Sequence, residues 1–108
     1  MELSIEKQGN INVVEVKGRL DTSNYMEFDN KLQELMTPGS FTLVDCTELD
    51  YVSSSGLRVL LIALKKSEQT GSKLALCSLK PQIMEIFKIS AFDSIFTIFP
   101  DRKSALKD

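Results

Sequence analysis

Two hydrophobic periods take turns along this chain, and their alternation restricts its fold more than any other feature. Period two comes first. Leu3, Ile5 and Lys7 alternate with Ser4 and Glu6, and after Gln8-Gly9-Asn10 a second run passes through Ile11 and Val13, then Val14 and Val16. These runs predict two strands joined by a short Gly-Asn turn, and therefore antiparallel. The phase changes between Val13 and Val14, which predicts either a bulge or burial on both faces. Gly18 closes the second strand.

The helical period follows. Beyond the cap-forming cluster Asp21-Thr22-Ser23-Asn24, apolar residues recur at Tyr25, Phe28, Leu32, Leu35 and Met36 until Pro38-Gly39 stops the pattern. Phe41 to Cys46 is a short, mostly apolar run without alternation, as expected of an interior strand. Thr47 to Val52 reads as a connecting stretch that leads into Ser53-Ser54-Ser55-Gly56. A second helix then carries Leu57, Leu60, Leu61 and Leu64 through Lys65-Lys66 towards Gly71. Lys73 to Leu79 suits another buried strand, and Pro81 opens a third helix that ends near Ile89-Ser90. Ile95 to Phe99 reads as a last strand, and Arg102 to Lys107 as a tail helix.

Strands alternating with helices at these lengths predict an α/β fold, a mixed β-sheet with parallel central strands, an antiparallel N-terminal strand pair and about four helices. No linker, repeat or low-complexity segment interrupts the pattern. Residues 1–108 are therefore expected to form one domain around one core.

Several function classes are disfavoured by composition. With 13 Lys and Arg against 15 Asp and Glu, the formal net charge is −2, and the cations are scattered rather than clustered, so direct nucleic-acid binding is not expected. No run approaches the roughly 20 apolar residues of a membrane span, and the first residues show no leader pattern, so a cytoplasmic address is expected. The chain has two cysteines, Cys46 and Cys77, and no histidine. That pair lacks the spacing and companion ligands of a metal site and is expected to be reduced core thiols. Without histidine, the serines also lack the usual base of a nucleophilic hydrolase, and neither a P-loop nor a G-x-G-x-x-G pattern is present. An enzyme is not expected.

The triple serine falls beyond the carboxyl end of a predicted parallel strand and at the mouth of a helix. Helix N-termini gather unpaired N–H groups and about half a positive charge, so an anion is electrostatically favoured there. On spacing alone, however, Ser53, Ser54 and Ser55 read as cap and turn residues. Asp21 likewise divides between a cap role and a place beside the serines. Asp45 could cap a neighbouring turn.

The run Leu49-Asp50-Tyr51-Val52-Ser53-Ser54-Ser55-Gly56-Leu57-Arg58-Val59-Leu60-Leu61, with Gly18-Arg19-Leu20-Asp21 and Leu43-Val44-Asp45-Cys46-Thr47 before it, resembles the STAS domain of bacterial anti-sigma factor antagonists. The likeness extends over nearly the whole chain, through Gly71 to Leu76 and the closing Ser104-Ala105-Leu106. It shifts the reading of the serines. The resemblance implies partner switching, in which an anti-sigma factor that is itself a GHKL-type serine kinase phosphorylates the first serine of Ser-Ser-Gly-Leu, here Ser54. The unphosphorylated form would bind the kinase and release sigma factor, and a PP2C-type phosphatase would restore it. ATP belongs to the kinase, so no cofactor is implied for this chain. Many members carry Asp where this chain has Ser53, which makes Ser53 a minor alternative acceptor. Asp21, Ser53, Ser55, Gly56 and Leu57 would surround the phosphorylated residue as the switch surface. An alternative within the same fold is a constitutive small STAS subunit of a membrane-associated complex, such as a lipid ABC transporter.

Overall fold

In the computed structural model, which describes residues 1–107, the sheet begins with β1 (Glu2–Gln8) and β2 (Ile11–Leu20), paired antiparallel across a turn in which Gly9 takes φ +65°. After helix α1 (Tyr25–Leu35), β3 (Phe41–Asp45) joins β2 in parallel. Strand β4 (Leu49–Val52), helix α2 (Ser54–Thr70), β5 (Lys73–Cys77) and helix α3 (Pro81–Ile89) follow. A single 3₁₀ turn (Phe92–Ser94), β6 (Thr97–Phe99) and the short helix α4 (Arg102–Leu106) complete the order. The sheet runs β1-β2-β3-β5-β6, with every pair after the first parallel and β4 attached to β2 alone. The mixed sheet with an antiparallel first pair and four α-helices agrees with the sequence reading.

The phase change at Val13 and Val14 reflects burial on both faces, since the β1–β2 register stays regular through it. Val14 and Val16 enter the larger apolar cluster with Phe28, Leu32, Leu60, Ile83 and Phe87 from helices α1, α2 and α3. Ile11 and Val13 enter a smaller one with Leu43, Ala75, Cys77 and Ala105 of α4. The irregularity lies further along, where β2 exchanges one partner for another. Glu15 is the last residue of β2 opposite β3, and from Gly18 onward β2 pairs with β4. Gly18 takes φ +87°, a conformation that costs glycine little, and its N–H donates to the Glu48 carbonyl (2.8 Å).

Sequence reading takes Leu49 to Val52 for a connecting stretch, and the structure corrects this to a strand. Its register shifts between Gly18 and Arg19, so that Leu49 faces Gly18 but Tyr51 faces Arg19. Asp50 is the extra residue, and it breaks the alternation by which a four-residue strand could have been recognised. Two ends also move. The last strand begins at Thr97 rather than Ile95, because the 3₁₀ turn occupies the preceding residues, and α4 ends at Leu106.

Candidate functional site

Strands β2 and β4 end side by side, at Leu20 and Val52. The residue after each, Asp21 and Ser53, therefore stands at the carboxyl edge of the same parallel pair, and the Ser53 N–H donates to the Leu20 carbonyl (2.9 Å). Adjacent strands lie about 5 Å apart, so the sheet itself brings the acidic turn and the serine run together.

Ser53 is the N-cap of α2. Its backbone is extended and its Oγ accepts from the Gly56 N–H (3.2 Å). Ser54 is consequently the first helical residue, and it is exposed. Ser55 is half-buried and Gly56 fully buried. A Cβ on Gly56 would stand 2.8 Å from Leu20 Cγ and 2.9 Å from Val52 Cγ2. The absent side chain thus seats the first turn of α2 on the ends of β2 and β4. Gly56 supports the serines from beneath. Leu57 also turns inward, partly buried against the main core.

On the other side, Asp21 Oδ1 accepts from the Ser23 N–H (3.0 Å) and Oγ (2.6 Å), and the Asn24 side chain bridges the Asp21 N–H and the Arg19 carbonyl. The two hydrogen bonds from Ser23, chiefly the hydroxyl's, hold the Asp21 carboxyl below the usual carboxylate range, with Arg19 adding a smaller pull. Arg19 Nε lies 3.7 Å from Asp21 Oδ2, and its guanidinium lies over the Tyr51 ring, 4.2 Å from the centroid. Lys80, just before α3, pairs with Asp50 and ties β4 to that helix. The carboxyl edge is therefore braced by local polar contacts and presents Ser54 outward.

Beside Ser54 runs a shallow groove of about 230 Å³ between α1 and α2, lined by Tyr25, Asp29, Ser55, Arg58, Val59 and Ile62. Arg58 is exposed one turn beyond Ser54, and Ile62 is 45% exposed. Of the residues expected from sequence, Asp21, Ser53, Ser54 and Ser55 gather at this edge, while Gly56 and Leu57 contribute from below. Sequence reasoning missed Arg19, Tyr51, Tyr25, Arg58 and Ile62. The sign of the last two was present in Ser55, Arg58 and Ile62, spaced at three and four residues off the leucine stripe.

Cys46 and Cys77 are buried and unbridged. Burial pushes the Cys46 thiol up, and it pushes Cys77 up to about 11. Among the described residues no cluster of His, Cys, Asp and Glu suits a metal ion, and no helix is long and apolar enough to cross a membrane.

Comparison with known proteins gives a consistent result. The model of the STAS domain matches residues 2–105. The Bordetella bronchiseptica protein BtrV, whose name is that of an anti-sigma factor antagonist, is 35% identical over 106 residues, spanning 97% of this chain and 91% of that protein. Among solved structures, a Thermotoga maritima protein named in the same way superposes with a TM-score of 0.86 at 15% identity, covering 97% of this chain and 92% of the other. The phosphorylated form of the Bacillus cell fate determinant SpoIIAA superposes with a TM-score of 0.75 at 16% identity, covering 98% and 97%.

Proposed function

We propose, from the premise that this chain belongs to the STAS domain family, that it is an anti-sigma factor antagonist whose binding to a serine kinase is gated by phosphorylation of Ser54. The observation that carries the proposal is the exposure of Ser54 at the first position of α2, beside a Ser53 whose hydroxyl is already occupied as the cap. A kinase needs an accessible hydroxyl on a backbone it can approach, and Ser54 offers one. Ser53 is the poorer acceptor because it is half-buried, with its Oγ turned onto the Gly56 N–H, whereas Ser54 is exposed. The name of BtrV, and the existence of SpoIIAA in a phosphorylated form, support the same reading by kinship. The partners are then an anti-sigma serine kinase of the GHKL type and a PP2C-type phosphatase.

In this reading the kinase covers the carboxyl edge and the adjacent groove. Tyr25 and Ile62 supply apolar area, and Asp29 and Arg58 supply polar contacts. A phosphate on Ser54 adds about −1.5 to −2 charges in the middle of that surface. At an effective dielectric of 20, each unit charge pair about 6 Å apart is worth roughly 3 kcal/mol before salt screening. Arg19, 3.7 Å from Asp21, offsets much of that carboxylate's own repulsion. The larger part of the switch is therefore the desolvation of a dianion under the partner, together with any acidic group the partner brings. A helix N-terminus returns at most about 1–2 kcal/mol. A net penalty of roughly 3 kcal/mol weakens binding about a hundredfold, with no refolding.

The test is incubation with the cognate kinase and ATP, followed by intact mass and peptide mapping. One phosphoryl group on Ser54 is expected, and Ser54→Asp should weaken kinase binding at least tenfold in titration calorimetry. Modification elsewhere, or undiminished binding by Ser54→Asp, would overturn the reading.

A further inference from the structure

The smaller apolar cluster, Ile11, Val13, Leu43, Ala75 and Cys77, lies on the sheet face away from α1, α2 and α3. Among the described residues, one helix contributes to it. Helix α4 spans five residues and buries Ala105, with Leu106 partly buried at its edge. A helix of that length has no independent stability in water, since the nucleation cost is met by too few hydrogen bonds. What holds it is the side chain of Arg102. The guanidinium donates from Nε (3.0 Å) and Nη2 (2.8 Å) to Asp45 Oδ2, and from Nη1 (2.7 Å) to Glu6 Oε1, with Glu15 Oε1 3.5 Å from Nη2. Three strands, β1, β2 and β3, each contribute one carboxylate to this single cation. Asp45 itself is almost fully buried, and its other oxygen accepts from the Thr47 N–H and hydroxyl.

We propose that α4 is an electrostatically latched strap that opens as a local unit, exposing the sheet face beneath it while the three-helix face stays folded. The closed strap has little apolar area of its own, so its hold rests on charge-assisted hydrogen bonds that a single side chain makes and that salt weakens. The opposite face is held by the packing of seven fully or almost fully buried side chains from three helices, Phe28, Leu32, Val59, Leu60, Ala63, Ile83 and Phe87. Contacts of that kind separate only when the domain unfolds, whereas a few local bonds can open below that free energy.

The two cysteines report the two faces separately. Cys77 belongs to the cluster under α4, and Cys46 to the cluster under α1, α2 and α3. Both are shut off in the closed state, so modification by iodoacetamide measures opening. Peptide mapping of the native protein over time should show Cys77 modified at least tenfold faster than Cys46, with the ratio growing as salt is raised. Arg102→Gln should speed Cys77 by roughly 10–100-fold, the opening expected from losing charge-assisted bonds, with Cys46 nearly unchanged; Arg102→Lys should fall between. Equal rates for the two cysteines in the native protein overturn the proposal. So does an Arg102→Gln variant in which the two rates rise together. Both readings come from one protein sample, so a loss of global stability in the variant cannot imitate the native ratio.

Discussion

The two faces of the sheet are covered by different physics. On one, α1, α2 and α3 bury a continuous apolar layer in which Phe87 meets Phe92 and Phe96 edge to face, 6.0 and 5.8 Å between centroids. On the other, a five-residue helix is fastened by one guanidinium to Asp45 and Glu6, with Glu15 alongside. Apolar burial is non-directional and sums over area, so it survives small displacements and most changes of solution. A charged latch is local and conditional. The proposed switch residue sits on the rim of the first face, where a rigid support is needed if docking is to depend on one phosphate.

The largest effect that could break this comparison is a cut into the apolar layer. Phe87→Ala should lower the global unfolding free energy by about 3–5 kcal/mol, read from the urea midpoint. On the opposite face, Ala105→Gly should cost α4 about 1 kcal/mol of helix propensity and be visible in Cys77 modification, with the urea midpoint scarcely moved. If both substitutions moved the midpoint alike, the faces would be one cooperative unit. Next in size is Gly56→Ala, which forces a Cβ to 2.8 Å from Leu20 Cγ. Overpacking of this kind costs about 1–3 kcal/mol, and because α2 must then lift from β2 and β4, phosphorylation of Ser54 should slow by more than the stability loss explains.

Acid should separate the faces. Burial raises the Asp45 pKa, but the Thr47 hydroxyl and amide and the Arg102 guanidinium outweigh it and hold the carboxyl below its ordinary value. A carboxyl depressed on folding contributes stability above its unfolded pKa of about 3.9 and loses it as pH falls through the folded value. Asp101 at the α4 N-cap, held down by the Ser104 amide, acts in the same direction, and Glu6 and Glu15 also face the guanidinium. Below about pH 4, then, α4 amides should lose hydrogen-exchange protection before those of α2 and α3. Simultaneous loss in all three helices would remove the distinction.

Much of this architecture was legible in the chain, because the periods of two and 3.6 are imposed by burial and burial dominates the fold. The phase change at Val13 and Val14 leaves a bulge and two-sided burial both open, and the regular β1–β2 register selects the second. The serine run announced the rim of one face. What stayed hidden arises where two segments distant in sequence meet. Strand β4 is recognisable only through its pairing with Gly18, Arg19 and Leu20, since Asp50 spoils its own pattern. Arg102 reads as one more surface cation of an amphipathic tail until Glu6, Glu15 and Asp45, up to 96 residues away, are brought around it. Gly56 carries no positive φ that would single it out, and its reason lies in Leu20 and Val52.

The smallest effect tests whether the three-helix face is as apolar in its energetics as in its composition. Thr42 lies in β3 between Asn12 and Leu74 in register, is fully buried, and its Oγ1 has no hydrogen-bond partner among the described residues. A buried hydroxyl without a partner forfeits its bond to water and gains nothing in return, whereas a methyl group of nearly the same shape has nothing to forfeit. Thr42→Val should therefore raise the unfolding free energy by about 1 kcal/mol, seen as a higher urea midpoint at an unchanged slope. Cys77 modification through α4 should keep its native rate, because the added stability lies on the other side of the sheet. A variant less stable than the native protein would mean that the hydroxyl is satisfied, with Asn12 as the nearest polar neighbour in register. The dense face would then contain a polar contact of its own, and the contrast with the latched face would be one of degree.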